Sequence, residues 1–477
     1  LKANPIILSL GLFSNLLIAP WRENHPQITY DLYLFRGMYW LFELIESIRA
    51  KILKDFGTWT GLILLAMVLT VLAVANPYLS TMEYSHYTML GGAAGLEKSY
   101  AQSWSFHPKE IIGLVIPDFW GGINQTYWGY MPFTQVYNYF GLVVLALGVL
   151  ALWSSHKRLA IFLWLSSIAF TLMSFGSATP ALSDLFFKYL PYFNKFRVPA
   201  MTLTMVQFNA VILAGLGLKG ILENAGNPIW QKRYLRIFWI CGAIFLLWII
   251  GAKGAFKGLE FSTPTELARY EQAGALDRMG DVKAQRLDIL VKSGILSLMF
   301  LVVSMGIAYL ASIKKLKEGV FVFLITLVAF LDLWVYTGKY LKNLYPQAEH
   351  QSVFQMRDFD QFLLADKDNY RIYPFNTGQI RTAGEWAYYH QTIDGYSAAK
   401  LKRYDDILKL ITGDGTKDGE FIRYLKGIFQ EEGKEYPLPI LNMLSTKYLI
   451  IPDSLPNGSF LQQIKPEIGR ASCRERV

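Results

Sequence analysis

Long apolar stretches alternate with short polar connections from Leu1 to Tyr340, and this alternation predicts a bundle of membrane-crossing helices. The clearest stretches are Thr58–Leu79, Val136–Trp153, Leu159–Gly176, Ala200–Leu218 and Val320–Thr337. Each is close to the roughly 20 apolar residues that a helix needs to cross about 30 Å of hydrocarbon. Four less clean stretches, Asn4–Pro20, Ile28–Ile45, Ile237–Ala252 and Ile295–Ala311, bring the total to nine. They are counted because the charges between them make sense only if they cross. The expected fold is an α-helical polytopic membrane protein with about nine transmembrane helices.

The basic residues set the orientation. Arg49, Lys51 and Lys54 lie in the second connection, Lys157 and Arg158 in the fourth. Lys219, Lys232, Arg233 and Arg236 fall in or beside the sixth, and Lys314, Lys315 and Lys317 in the eighth. Basic residues are retained on the cytoplasmic side because carrying them across is unfavourable, and short loops report this bias best. Even-numbered connections are therefore expected inside the cell. The long odd-numbered ones, Ser80–Gln135, Ser177–Pro199 and Lys253–Gly294, are expected outside, together with everything after about Gly338.

Composition agrees. The chain is 53% hydrophobic and 15% aromatic, and its 17% of charged residues falls well below the globular norm of about 25%. The net charge of +9 follows from the cytoplasmic bias and from basic residues that meet anionic lipid headgroups, so no nucleic acid partner is implied. Cys241 lies in an expected span and Cys473 in the tail, which gives no disulfide framework. The chain enters a span within four residues of Leu1 and reads as a fragment, while 468–477 departs from the preceding pattern and reads as an artefactual tail.

The outer loops carry the candidate chemistry. In the first, His107-Pro108-Lys109-Glu110 is a helix start, because proline suits the first turn and an acid there complements the helix dipole. Ile111–Ile116 follows as a short apolar helix along the outer interface, ended by Pro117-Asp118 and a sharp turn at Gly121-Gly122. Tyr127 and Trp128 open an aromatic run that is either an interfacial belt or a ligand contact. Glu83 and Asp118 could each place a general base at the membrane surface, or pair with Lys98 or Lys109. His25 is either a base or ligand on the outer face or a structural histidine.

In the second outer loop a short amphipathic segment ends at Pro191, and Asn194, Lys195 and Arg197 precede the next span. The planar fork of Arg197 suits the oxygens of a lipid phosphate or pyrophosphate, although snorkelling to headgroups competes with that role. Asp31, Arg36, Glu43 and Asp332 fall within spans, where ionisable groups need partners in the bundle or a watery cavity. After Tyr345 a mixed pattern begins, with strands expected at Arg371–Phe375 and Lys447–Ile451 and helices at Phe354–Leu364 and Ala398–Ile411. This predicts a small extracytoplasmic α/β domain over 341–467, acting as a lid or recognition module. Gly413–Gly419 lacks the spacing of a calcium loop, and no metal cluster, P-loop or dinucleotide fingerprint occurs, so no cofactor is expected.

Five strings, NHPQITY (Asn24–Tyr30), Tyr100–Gly122, YWGYMPFT (Tyr127–Thr134), LPYFNKFRVPAMTL (Leu190–Leu203) and LNMLSTKYLIIP (Leu441–Pro452), resemble the YfhO family of bacterial multi-pass membrane proteins. That family is similar to GT-C glycosyltransferases. The resemblance implies transfer of a sugar from a polyprenyl-phosphate donor to a cell-envelope glycopolymer or lipid acceptor, on the outer face of the bacterial cytoplasmic membrane. It also implies a catalytic acid in the first external loop after the first span, a region expected to precede Leu1. Arg197 would hold the phosphate, with Trp104 and Trp128 on the sugar. A flippase of lipid-linked saccharide and a non-catalytic assembly scaffold are the alternatives.

Overall fold

The computed structural model describes 26–89, 98–122, 126–131, 138–272, 274–341, 354–375, 383–395, 397, 400–413, 419–423 and 438–450. It is mainly helical and divides into two compact units: Leu1–Pro77 with Leu96–Lys342, and Tyr78–Gly95 with Asn343–Val477. The stretch Asn4–Pro20 and His25 lie outside the described residues.

In the first unit the long helices are α1 (Pro26–Ala50), α2 (Leu53–Ser85, which runs on into the second unit), α4 (Lys157–Ser174), α6 (Leu203–Glu223), α7 (Pro228–Phe256), α9 (Leu276–Ser312) and α10 (Glu318–Leu341). Shorter helices are α3 (Leu142–Leu150), α5 (Pro180–Tyr189) and α8 (Pro264–Gln272). Among the described residues, six helices are long and apolar enough to cross a membrane: α2, α4, α6 with its preceding turn, α7, α9 and α10. Their outer faces are greasy. Leu64, Leu65, Val68 and Leu72 of α2 and Ile240, Leu246, Leu247 and Ile250 of α7 are all exposed. Contiguous apolar surface of this kind is tolerated where lipid covers it.

Two expected spans differ. Ile28–Ile45 is helical, but its charges keep it out of the six. Those charges find aromatic partners on their own helix: Arg36 lies 5.2 Å from the Tyr33 ring centroid, and Glu43 is hydrogen-bonded to Tyr39. Of Val136–Trp153, the described residues are helical over Leu142–Trp153, about 18 Å at 1.5 Å per residue, too short to cross alone. The reason is Asp332, fully buried in α10. Its carboxylate accepts from the Tyr139 hydroxyl (2.8 and 2.9 Å) and from Val143 N (3.5 Å), while Leu142 N donates to the Tyr139 hydroxyl (2.7 Å). Together they satisfy amide groups that a helix beginning inside protein leaves open. Asp31 is 2% exposed, and its Oδ2 has no partner among the described residues.

The core follows the same division of labour. Val143, Leu147, Ile221, Ala308 and Phe321 form one buried cluster, and Phe35, Leu163, Phe170, Leu203 and Leu213 another. Gly217 allows α6 to approach α3 closely, since a Cβ there would fall 2.0 Å from the Leu147 carbonyl oxygen.

Hydrogen bonds between connections test their arrangement. Glu46 at the end of α1 pairs with Arg158 at the start of α4 (2.6 Å), joining connections two and four. Glu223 accepts from Ser155 N (2.8 Å) and the Ser155 hydroxyl (2.6 Å), joining four and six. Gly226 N donates to Ser312 O (2.7 Å), joining six to the end of α9 and the start of eight. The even-numbered connections, with their basic residues, therefore share one end of this unit. The odd-numbered ones share the other, through contacts described below. The third outer loop is much shorter than Lys253–Gly294, because α9 already begins at Leu276.

The second unit contains α11 (Asp358–Ala365), β1 (Arg371–Pro374), α12 (Ala383–Tyr389), α13 (Lys402–Thr412), α14 (Pro439–Met443) and β2 (Thr446–Ile450). The strands pair in parallel, close to where alternation of β-favouring residues placed them. Trp386, Ile372, Leu363 and Tyr448 form one core, and Ile393, Ile411, Phe421 and Leu441 another. Buried His390 Nε2 meets Asp360 at 2.7 Å and ties α12 to α11, while the Glu420 carboxylate accepts from Ile440 N (3.0 Å) at the start of α14. Most of Gly413–Gly419 lies outside the described residues.

Candidate functional site

Arg197 sits two residues before the turn Pro199–Thr202 that leads into α6, where a cation meets the mouth of an apolar helix. Its guanidinium carbon lies 4.3 Å from the ring centroids of both Tyr100 and Trp104. Nε donates to the Ser103 hydroxyl (3.1 Å), and Nη1 donates to the Tyr100 hydroxyl. No carboxylate pairs with it among the described residues, so aromatic faces and hydroxyls fix the charge without neutralising it.

The backbone around this cation is strained. Trp104 (φ 58°), Tyr192 (φ 61°) and Val198 (φ 62°) all occupy the left-handed region, which is a marked outlier for β-branched valine. Such residues cost about 1–3 kcal/mol each and persist where surrounding contacts hold them. Those contacts are present. Gln27 Nε2 donates to Val198 O (3.2 Å), Tyr30 OH to Pro191 O (2.8 Å) and Phe106 N to Ser174 O (2.8 Å). Ser177 N donates to the Ser105 hydroxyl (2.9 Å), Gln102 Nε2 donates to the Ser183 hydroxyl (2.6 Å), and Lys98 pairs with Asp184. The first and second outer loops are thus laced together around Arg197.

The other residues singled out in the sequence divide. Asn194 and Lys195 form the half-buried turn Phe193–Lys195 just before Arg197, but neither is among its hydrogen-bond partners. Trp128 does not join Trp104. It packs 4.4 Å from Trp120 and 5.5 Å from Phe261, centroid to centroid, and its buried Nε1 has no partner among the described residues. Tyr127 is committed to the Glu110 carboxylate (3.0 Å) and to Met131 N (3.0 Å). Asp118 is withdrawn from the rim: it is 1% exposed and paired with Lys339 at 2.6 Å, not with Lys98 or Lys109. Glu83 is exposed near the end of α2 and belongs to the second unit. His25 remains outside the described residues.

Three important residues escaped the sequence reading. His107 caps a 3-10 helix, Pro108–Leu114, where a helix start was expected, but Glu110 in its first turn does more than complement a dipole. It is buried and accepts from Tyr130 N at 2.5 Å as well as from Tyr127. Burial pushes its carboxyl above the usual range, against the opposing pull of those hydrogen bonds. Arg286 of α9 and Glu266 of α8 are the other two. Arg286 is 1% exposed and donates to Thr126 O (2.8 Å), Phe261 O (2.6 Å), Tyr127 O (3.3 Å) and both Glu266 oxygens (2.7 and 3.0 Å). It fastens the first outer loop to the third. The signal that could have found it is the helical spacing of Asp288 and Lys292, an i,i+4 ion pair at 2.6 Å inside a stretch read as loop. Gly121 and Gly122 (φ 96° and 77°) make the turn that brings Thr126 back, and a Cβ at Gly121 would strike the Thr126 carbonyl oxygen at 1.8 Å.

No group of three metal-ligating side chains occurs among the described residues. The arrangement around Arg197 can hold an anion of the phosphate class beside apolar helix faces. Compared with known proteins, the chain matches no family model, no curated protein and no solved structure.

Proposed function

We propose that this protein is an integral membrane glycosyltransferase of the GT-C kind, related to the YfhO family. It moves a sugar from a polyprenyl-phosphate donor to a cell-envelope glycopolymer or lipid acceptor. The observation that carries this reading is Arg197, an immobilised and unneutralised cation at the mouth of a span, in a strained frame that many contacts maintain. The polyprenyl chain lies against apolar helix faces and the guanidinium grips the phosphate. As the sugar C–O bond to phosphate breaks, the growing charge on the leaving phosphate falls on a donor already in place. Tyr100 and Trp104 position that donor, so sugar contacts come from elsewhere. The acceptor's base is assigned to no residue, and Asp118, spent on Lys339, is removed from the role.

Orientation belongs to the same proposal. The shared end of the even-numbered connections carries the basic residues and faces the cytoplasm of a bacterium. The Arg197 loops face outward, as does residue Lys339 where the chain leaves α10, which makes 341–467 an extracytoplasmic α/β domain. The count of about nine spans requires α1, the α3 segment and Asn4–Pro20 to cross as well.

Radiolabelled polyprenyl-phosphate sugar, incubated with the full-length protein in liposomes and with envelope acceptors, tests the reading. Covalent transfer to acceptor that falls at least tenfold in Arg197→Ala is expected; transfer indifferent to that change removes Arg197 from the site. A second reading, flipping of lipid-linked saccharide, draws on the buried Asp31 carboxylate, whose Oδ2 has no partner among the described residues. The same assay would then show donor crossing the bilayer without covalent transfer.

A further inference from the structure

Arg197 is fixed by its neighbours, but its donors are not exhausted. A guanidinium carries five N–H groups and no acceptor. Nε gives one to the Ser103 hydroxyl and Nη1 gives one to the Tyr100 hydroxyl, whereas Nη2 gives none among the described residues. Nη2 is also not one of the enclosed side-chain atoms left without a partner, so it opens to the surface. A ligand can reach it.

The two hydroxyls beside the cation differ. Ser103 is spent at both ends, since its oxygen accepts from Nε while its hydrogen goes to the Tyr100 carbonyl oxygen at 2.6 Å. Tyr100, half-buried on the short helix Lys98–Ala101, is used at one end only. Its oxygen must be the acceptor of the Nη1 hydrogen bond, because a guanidinium has nothing to accept with. The phenol hydrogen then points elsewhere, and it has no acceptor among the described residues. Hydrogen bonds in series polarise one another, so a hydroxyl that already accepts from a cation is the stronger donor. The Tyr100 ring also holds the guanidinium carbon 4.3 Å from its centroid, which keeps hydroxyl and cation together.

What this corner offers is several unspent donors and one positive charge that no carboxylate meets. The match is an anion with more than one acceptor oxygen, Nη2 taking one and the Tyr100 O–H another. We propose that Tyr100 is a second phosphate-binding residue, whose hydroxyl donates to a non-bridging oxygen of the lipid-borne phosphate beside Arg197. This role rests on the placement of that phosphate at Arg197 in the transfer reading, and it adds an uncharged donor at which no bond is made or broken. When a phosphodiester gives up its sugar, its single negative charge grows toward the roughly −1.5 to −2 of a monoester. A second donor already in place is worth most at that moment.

The experiment titrates the full-length protein, in phosphatidylcholine nanodiscs with empty nanodiscs as blank, with farnesyl phosphate, farnesol and inorganic phosphate by calorimetry. Hydrogen exchange over 98–106 and 190–203 is followed in the free protein. Farnesyl phosphate is expected to bind at least tenfold more tightly than the other two. Tyr100→Phe, which keeps the ring on the guanidinium, should weaken it about tenfold or more, the scale of one hydrogen bond to a charged oxygen, and leave the exchange of the free protein unchanged. Affinity indifferent to Tyr100→Phe, a loss matched by faster exchange over 190–203, or farnesol or inorganic phosphate bound as tightly as farnesyl phosphate would each overturn the proposal. Farnesyl phosphate binding that depends on Tyr100, with no sugar ever transferred, would remove the transferase and keep this site. Transfer lost in Arg197→Ala but untouched in Tyr100→Phe would remove Tyr100 and keep the transferase.

Discussion

Arg158 and Arg286 lie at opposite ends of the first unit, and each meets a glutamate, yet they do different work. The side chain of Arg158 is 68% exposed and reaches Glu46 at the basic end. That of Arg286 is fully buried and satisfies Glu266 together with three backbone carbonyls. An exposed pair gains little over water, whereas a buried arginine must have every donor met or be ruinous. The basic end is held by apolar packing and decorated with charge. The opposite end has long loops with few regular hydrogen bonds of their own, and it borrows order from buried ions: Arg286, Asp118 with Lys339, and Glu110.

The sharpest way to break that contrast is Arg286→Met, which strands Glu266 and the carbonyls of Thr126, Tyr127 and Phe261. A loss of about 3–5 kcal/mol is expected in thermal or denaturant unfolding of the detergent-solubilised protein. A loss below about 1 kcal/mol would mean that the loops hold without it. Glu110 sharpens the comparison through pH. Its folded carboxyl titrates above its unfolded value, so its contribution to stability is complete below the ordinary glutamate range and fades as pH rises through the raised value. Glu110→Gln should flatten that descent, and an unchanged slope of stability against pH would reassign it. The smallest effect belongs to Arg158→Ala, expected at about 0.5 kcal/mol or less and vanishing in high salt. A salt-insensitive loss of several times that size would erase the distinction between the two ends.

What the sequence made legible was local. Apolar runs located the helices, alternation located β1 and β2, and the spacing of basic residues anticipated which connections share an end, as the contacts of Glu46, Glu223 and Gly226 bear out. His107 and Pro108 marked a helix start because capping is a matter of adjacent residues. What stayed hidden was pairing across the chain. Asp118 could not announce Lys339, 221 positions away, nor Arg197 its partners Tyr100 and Ser103, 97 and 94 positions away. The shortened α3 is the same lesson in backbone form. Nothing in Val136–Trp153 shows that the helix begins late, because the acid that caps it is Asp332 on another helix. Trp128 was misplaced for the opposite reason: an aromatic in a loop looks alike whether it awaits a ligand or fills a gap beside Phe261.

The 37 residues of α9 extend about 55 Å, far more than the roughly 30 Å of hydrocarbon. In the proposed orientation that surplus would stand clear of the bilayer as a stiff post, with Arg286 beyond the hydrocarbon. Lys314, Lys315 and Lys317 follow at its foot, where in the same orientation they would meet the headgroups of the far leaflet. Height is thereby metered in helical turns from that footing: lengthening the apolar shaft by one turn would hoist the fastening about 5 Å and pull it away from the loop it clasps.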